Sequence, residues 1–254
     1  MSTRSSKPSI AELREVTQPP SIFARNSGEH WAGRLYVRRL SPYLTRRLIP
    51  TRITPNAVTW LMILVGVLAA GLLCLRSVWA SAGAVLLIQA QILLDCSDGE
   101  LARWRQQFSP VGIYLDRLGH YVTETLFPIA LGIRAGEPTL GLIAALLALS
   151  VRTERALVSV ARLESGRGKA EDTAAEAAPR VNALARIRRA VGFFPFFRAF
   201  IAVEATVLAL IAAIVDAATG TLDGTQVLVV ALVPIAAITA VGHLLAIVTS
   251  ARLR

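Results

Sequence analysis

The chain has 254 residues, of which 54% are hydrophobic and 6% aromatic, and it carries a formal net charge of +10 at pH 7. This composition is too apolar for an ordinary soluble domain, and the chain is too short for several domains, so a membrane protein is the expected class. The arginines lie beside apolar runs, which favours attraction to lipid headgroups, and we expect no nucleic-acid partner. Cys74 and Cys96 have no ligand-like spacing, which argues against a disulfide or a thiolate metal site.

The N-terminal region divides into two parts. Residues 1–30 mix serine, proline and charged residues without periodicity, so we expect a flexible cytoplasmic segment. In residues 31–50 leucines and valines alternate with arginines, and Trp31 and Tyr36 are typical of a membrane interface. This pattern predicts a basic amphipathic helix lying in the interface, with a solvated run of charges as the alternative.

The remaining residues, 51–254, are expected to form a domain of six transmembrane helices. Apolar runs of about 18 residues or more predict the spans, and the fold class is therefore all-α. The runs cover residues 57–75, 78–94, 111–133, 139–162, 198–217 and 225–250. Charged residues shorten or interrupt the second and third of these runs.

The basic residues predict the orientation of the chain. Residues 1–52 contain ten Lys and Arg side chains, and residues 162–198 contain eight. The opposite loops are short and poor in basic residues, as the positive-inside rule requires for an even number of spans with both termini inside. We therefore expect a multi-pass protein of the cell membrane with cytoplasmic N- and C-termini.

Three aspartates lie at the junction of the second and third spans, where burying a charge is costly. If the chain stays helical around Asp95, then Asp95 and Asp98 share one face, while Asp116 and His120 are one turn apart on the third span. Carboxylates at membrane depth repel one another, so a stable cluster needs protonation, an Arg partner or a cation. Clustered oxygen ligands suit Mg²⁺, Mn²⁺ or Ca²⁺ better than zinc. Salt bridges that tie the helices together are the alternative.

The spacing of these residues resembles the signature of the CDP-alcohol phosphotransferases, also called CDP-alcohol phosphatidyltransferases. That family's pattern is Asp-x2-Asp-Gly-x2-Ala-Arg, eight or nine residues, and then Gly-x3-Asp-x3-Asp. Every defined position but the last is matched, by Asp95, Asp98, Gly99, Ala102, Arg103, Gly112 and Asp116. The segment containing Pro55, Asn56 and Thr59 also resembles the Pro-Asn-x-x-Thr opening of the family's first span. Together with the six spans and the interfacial helix, the likeness covers about residues 31–254.

The resemblance implies a role for each matching residue. Asp95, Asp98 and Asp116 would hold one or two Mg²⁺ or Mn²⁺ ions that bridge the diphosphate of the CDP-alcohol. The other positions would contact the nucleotide, because small residues leave it room and an arginine suits phosphate oxygens. These nucleotide-binding positions are Pro55, Asn56, Thr59, Gly99, Ala102, Arg103 and Gly112. For Gly112, close packing of two helices is an equally good explanation.

His120 departs from the family pattern, which has a fourth aspartate at this position. The resemblance assigns this position to the base that deprotonates the acceptor hydroxyl, so His120 is a candidate catalytic residue together with Asp116. A neutral imidazole can act as a general base near neutral pH. Mg²⁺ prefers oxygen ligands, so an imidazole here weakens the case for a second metal ion. The alternatives are a metal-ligand role for His120 and a structural role in a modified or inactive site.

Three arginines are candidates for binding the acceptor. Arg152, Arg155 and Arg198 are costly cations near the cytoplasmic ends of the fourth and fifth spans. They would suit an anionic acceptor such as an inositol phosphate or a glycerol phosphate. Ordinary positive-inside flanks explain them equally well.

The sequence therefore predicts an enzyme that moves a substituted phosphate group from a CDP-alcohol, such as CDP-diacylglycerol, to an alcohol or phospho-alcohol acceptor, with release of CMP. The resemblance implies phospholipid or related phosphodiester biosynthesis and a homodimer among membrane lipids. An ion or small-solute transporter would also fit six spans and an acidic cluster, but it does not explain the spacing of the small residues and Arg103. A noncatalytic CDP-alcohol binder is favoured only by His120.

Overall fold

The structure is a computed structural model that describes residues 7–19, 32–166 and 200–249. Within these ranges the chain is helical and contains no β-strand. A short π-helical turn, Gly33–Val37, precedes the second α-helix. The α-helices are α1 (Ile10–Thr17), α2 (Arg38–Leu48), α3 (Pro55–Leu73), α4 (Val78–Arg105), α5 (Pro110–Ala135), α6 (Pro138–Glu164), α7 (Ala202–Thr219) and α8 (Asp223–Val248).

The helix ends follow local sequence signals. Both α3 and α5 begin with a proline that follows a hydroxyl residue, an arrangement that suits the first turn of a helix. The hydroxyl of Thr54 accepts the N–H of Ala57 at 3.2 Å, and the hydroxyl of Ser109 accepts the N–H of Gly112 at 3.0 Å. At the other end of a helix, Gly220 adopts a positive φ of 71° after α7, a conformation that glycine adopts readily.

The chain divides into two compact units. The first comprises Met1–Ala69 and Leu86–Thr123. One of its buried clusters joins α1 to α3 and α4 through Leu13, Ile49, Val58, Leu101 and Trp104. A second cluster joins α3 to α5 through Met62, Ile63 and Leu115.

The second unit comprises Ala70–Val85 and Glu124–Arg254, and in it α8 packs against α6 and α7. Alanine occupies many of the buried positions of α6 and α7. Where α5 meets α6, a Cβ atom on Gly132 would lie 2.8 Å from the Cα of Gly141, so the two backbones are in direct contact. Small residues at helix contacts are typical of membrane bundles.

Large apolar side chains are common on the outer surface of the long helices. On α3, Trp60, Leu64 and Leu68 are each more than half exposed. Among the described residues, α3, α4, α7 and α8 are long and apolar enough to cross a membrane. Charged side chains interrupt α5 and α6, so the structure supports four of the six predicted spans by length and composition, and the other two stay predictions.

The N-terminal region differs from its sequence-based description. Within the segment expected to be flexible, Ile10–Thr17 is a helix capped by the hydroxyl of Ser9, and Leu13 and Thr17 are fully buried. On α2 the buried face carries Ser41, Pro42 and Thr45, whereas Leu40 and Tyr43 are exposed beside the arginines. The location of α2 in a membrane interface therefore stays a prediction.

Candidate functional site

The acidic residues of the motif lie on one continuous helix and at the start of the next. The apolar run ends near residue 94, but α4 continues to Arg105, which keeps Asp95 and Asp98 on one helical face as predicted. Residues 106–109 then connect α4 to α5. Asp116 and His120 follow on α5, four residues apart and therefore on the same side of that helix.

Asp95, Asp116 and His120 converge in the first unit. Each offers one ligand atom, and these atoms all lie within 4.8 Å of one another. The His120 Nε2 atom is 3.2 Å from Oδ1 of Asp95 and 3.7 Å from Oδ1 of Asp116. The side chains of His120 and Asp116 are 44% and 46% exposed, so small molecules can reach the group. Two carboxylates with an imidazole are a donor set that fits a divalent cation.

Asp98 is more buried than the other two aspartates and is held by α3. The hydroxyl of Thr59 donates to its Oδ2 at 2.6 Å. Thr59 is itself buried at 3% exposure, so the hydrogen bond is shielded from water. The sequence predicted a nucleotide contact for Thr59, whereas the structure places its hydroxyl on a predicted metal ligand. Such a bond orients the carboxylate and stabilises its charge.

Asn56 and Gly112, two of the predicted nucleotide-binding residues, are neighbours. The side-chain amide of Asn56 donates to the hydroxyl of Ser109 at 3.4 Å. A Cβ atom on Gly112 would lie 2.8 Å from Oδ1 of Asn56 and 3.2 Å from the hydroxyl of Ser109. A side chain at this position would therefore displace the Asn56 amide from its place beside Ser109, near the start of α3, where Pro55 is buried as the first residue of the helix.

Gly99 lies one helical turn before Arg103 on α4, and the guanidinium of Arg103 lies close to it. A Cβ atom on Gly99 would be 3.2 Å from Nη1 of Arg103. The Nε of Arg103 donates to the backbone carbonyl of Thr17 at 2.7 Å, which links the motif to the end of α1. Ala102, the other small residue of the motif, is partly exposed beside Arg103.

Two of the three arginines predicted to bind the acceptor, Arg152 and Arg155, lie in the second unit. Arg152 forms a two-pronged ion pair with Glu124, and the Nε of Arg155 donates to Nε2 of His243 at 3.3 Å. The charge of Arg152 is therefore already matched by a carboxylate. Arg198 lies outside the described residues, and an acceptor role for these arginines stays a prediction.

Sequence reasoning missed three residues that shape the first unit. Glu100, inside the motif, is fully buried and accepts hydrogen bonds from side chains of α2. Arg105 donates to the carbonyls of Leu48, Ile49, Thr51 and Ile53 and so ties the end of α2 to α4. Ser109 caps α5, and its position just before a proline was a signal that could have identified it. Glu100 and Arg105 depend on long-range contacts that no local pattern reveals.

The family model described as CDP-alcohol phosphatidyltransferase matches residues 52–185, which is just over half of the chain and includes the whole spacing from Asp95 to His120. No curated protein matches the chain significantly. Members of the family are transferases that use divalent metals, and the apolar helices agree with an integral membrane protein. The chain belongs to the CDP-alcohol phosphatidyltransferase family, whose reaction is the transfer of a phosphate-containing group from a CDP-alcohol.

Proposed function

We propose that this protein transfers a substituted phosphate group from a CDP-alcohol to the hydroxyl of an acceptor and releases CMP, in phospholipid or related phosphodiester biosynthesis. The convergence of Asp95, Asp116 and His120 within 4.8 Å carries the proposal, because it occurs inside the spacing that the family model matches. The attachment of Asp98 to Thr59 supports it further, since a buried hydroxyl holds the remaining carboxylate in place.

Asp95, Asp98 and Asp116 are the residues that would hold one or two Mg²⁺ or Mn²⁺ ions. Their carboxylate oxygens are the ligands that these hard cations prefer, and the exposure of Asp95 and Asp116 leaves a route of entry. When bound, the metal supplies neutralising charge at the diphosphate as CMP leaves. The aspartates in turn gain the counter-charge that a cluster of carboxylates at membrane depth requires.

In the proposed reaction the acceptor oxygen attacks the phosphorus that carries the transferred alcohol. The bond from this phosphorus to the bridging oxygen breaks, and CMP leaves with the electron pair. Arg103 binds phosphate oxygens, and Gly99 and Ala102 leave room for the nucleotide beside α4. His120 takes the proton of the acceptor hydroxyl. If Asp95 accepts the Nε2–H, the lone pair of the imidazole is on Nδ1, which is then the atom that receives the proton.

The position of His120 also favours a second candidate, a noncatalytic CDP-alcohol binder. Its Nε2 lies near two carboxylates. A protonated His120 could neutralise these carboxylates in place of a metal ion, and the site would then bind a CDP-alcohol without reacting. The two candidates differ in what Mn²⁺ does to the purified protein. If the protein is the enzyme, Mn²⁺ binds at the aspartates and supports turnover. If it is the binder, CDP binds but no CMP is released when Mn²⁺ is added.

We further propose that α5 and α6 complete a set of six spans, with both termini in the cytoplasm and α2 at the membrane interface. The excess of basic residues in 1–52 and 162–198 supports this orientation. We also propose a homodimer, as the family resemblance implies. An impermeant thiol reagent applied to intact cells should fail to label a cysteine placed at Ala174 in a chain without its native cysteines. Labelling before the cells are opened would contradict the orientation.

The central experiment measures CMP release by the purified full-length protein in lipid nanodiscs. CDP-diacylglycerol and soluble CDP-alcohols are each combined with glycerol phosphate, inositol phosphate or inositol, with Mg²⁺, with Mn²⁺ or with EDTA. We expect metal-dependent CMP release with at least one pair and none with EDTA. Absence of CMP release throughout the panel, together with cation uptake in proteoliposomes, would instead support a transporter.

A further inference from the structure

Glu100 is a charged residue of the motif region that the proposed reaction does not use. It lies two residues after Asp98 on α4, a rotation of about 200° that places it on the opposite side of the helix from the metal ligands. Its side chain is fully buried. Burying a carboxylate costs several kcal/mol unless hydrogen bonds compensate for it, so its partners define what it does.

Those partners come from two separate N-terminal helices. The Oε1 atom of Glu100 accepts from Nε2 of Gln18 at 2.8 Å and from the hydroxyl of Ser41 at 2.5 Å. The Oε2 atom accepts from the hydroxyl of Thr45 at 2.7 Å. Gln18 follows the last residue of α1, and its amide also donates to the backbone carbonyl of Arg38 at 2.9 Å. A single carboxylate therefore connects α4 to both α1 and α2.

A second link joins α1 to α4 at Arg103, three residues after Glu100. Thr17, next to Gln18, offers its backbone carbonyl to Nε of Arg103 at 2.7 Å. This bond fixes the plane of the guanidinium, whose Nη1 lies 3.2 Å from where a Cβ of Gly99 would be. Because α1 has only eight residues, it is too short to be stable alone, and the hydrogen bonds of Gln18 and Arg14 hold it together with the burial of Leu13.

We propose that Glu100 is a positioning residue for the nucleotide: by binding Gln18 it holds α1 so that the Thr17 carbonyl keeps Arg103 over Gly99. A guanidinium held in one orientation before the ligand arrives loses less conformational freedom on binding, which increases affinity. The ligand class is the diphosphate of a CDP-alcohol. The inference rests on the proposed function and adds α1 to the nucleotide site.

Gln18→Ala is the first test, because it breaks the link while leaving Ser41 and Thr45 on Glu100. We expect the Kd for CDP, measured by calorimetry with Mg²⁺, and the KM for the CDP-alcohol to rise about tenfold, the effect of one hydrogen bond to a charged group. The KM for the acceptor should stay close to wild type, and the unfolding temperature should fall slightly because Glu100 loses one of its hydrogen bonds. Gln226→Ala is the matched control, since Gln226 also donates its side-chain amide to a backbone carbonyl, 3.4 Å away in the second unit.

A double-mutant cycle tests whether Gln18 acts through Arg103. Arg103→Ala should weaken CDP binding, and adding Gln18→Ala to it should have no further effect. Glu100→Gln, which keeps the shape of the side chain, should reproduce the higher Kd of Gln18→Ala. The inference fails if Gln18→Ala and Glu100→Gln bind CDP like the wild type, or if the tenfold effect persists in full without Arg103. If the wild type neither binds CDP nor releases CMP, the proposed function itself is wrong and the inference fails with it.

Discussion

Two clusters of charged side chains in this protein are built in opposite ways. In the first unit, Asp95 and Asp116 share one imidazole and are partly exposed. In the second unit, the guanidinium of Arg134 is almost completely buried and faces Asp216 at 3.6 Å. Its Nε donates to the hydroxyl of Thr225 at 3.1 Å, and its Nη1 donates to the hydroxyl of Ser81 at 2.9 Å.

We interpret this difference as that between a structural cluster and the proposed metal-binding cluster. Arg134 and Asp216 balance each other in charge, and the N–H of Thr225 also donates to Asp216 at 3.0 Å. We call this network the closed cluster. It fixes the helices, and because its two charges neutralise each other it offers no net charge to a ligand. The Asp95–Asp116–His120 group, which we call the open cluster, places two carboxylates around one imidazole and is partly exposed to solvent, so a bound cation would reduce the repulsion between the carboxylates. Whether the charges of a cluster neutralise one another, and whether the cluster is buried, therefore indicate its role better than the presence of charged residues alone.

The largest effect should come from removing the carboxylates of the open cluster. Asp95→Asn and Asp116→Asn should each lower kcat/KM for CMP release by about 10³-fold or more, since losing several kcal/mol of charge stabilisation has that effect. The unfolding temperature should stay the same or rise, because the amide relieves repulsion between carboxylates. Asp223→Asn, at an exposed position on α8, is the control and should keep full activity. Wild-type turnover in both cluster variants would remove the metal assignment.

Substitutions in the closed cluster should lower stability and leave activity unchanged. Arg134→Met leaves Asp216 buried without its cation and should lower the free energy of unfolding by about 3–5 kcal/mol. CMP release per folded molecule should be unchanged. Replacing both partners, as Arg134→Met with Asp216→Leu, should recover part of the stability. Denaturation in detergent measures these effects, with Arg47→Ala as an exposed control expected to change stability little. An Arg134→Met protein as stable as the wild type would refute the structural role.

His120 tests whether the open cluster does chemistry as well as binding. His120→Ala should lower kcat by about 10² to 10⁴-fold, the usual range for a positioned base, with little change in CDP affinity. His120→Asp restores the family pattern and should recover much of the lost rate. If His120→Ala turns over like the wild type, the base is another group. Nitrogen coupling in the spectrum of bound Mn²⁺ would identify His120 as a metal ligand instead.

The sequence predicted the helices of the described residues well and the contacts among their charges less well. Apolar runs are local signals, so the six long helices lie close to the six predicted runs, although only four of them are supported as spans. The roles of the acidic residues stay predictions. The end of α4 was predicted too early, because residues 95–105 continue the helix although the apolar run has ended. The partners of Glu100 and Glu124 come from residues 28 to 82 positions away, and no periodicity encodes such pairs. Helix α1 was missed because two buried residues in eight are too weak a pattern.

The smallest effect should come from Thr59, which supports Asp98, the predicted metal ligand outside the open cluster. Thr59→Val keeps the shape of the side chain but removes the 2.6 Å hydrogen bond to Asp98. We expect kcat/KM to fall about tenfold, since a hydrogen bond to a charged group is worth about 1.5 kcal/mol or more. Thr59→Ser should restore the rate because it keeps the hydroxyl.

Thr206→Val is the matched control, since the Thr206 hydroxyl is equally buried but donates to the backbone carbonyl of Ala202 in its own helix, at 2.9 Å. It should change neither kcat nor metal dependence. Raising the Mg²⁺ concentration should compensate for part of the Thr59→Val defect, because a less well oriented carboxylate weakens metal binding rather than removing it. A Thr59→Val protein with wild-type kcat/KM at every Mg²⁺ concentration would mean that Asp98 needs no support from α3 to act as a metal ligand.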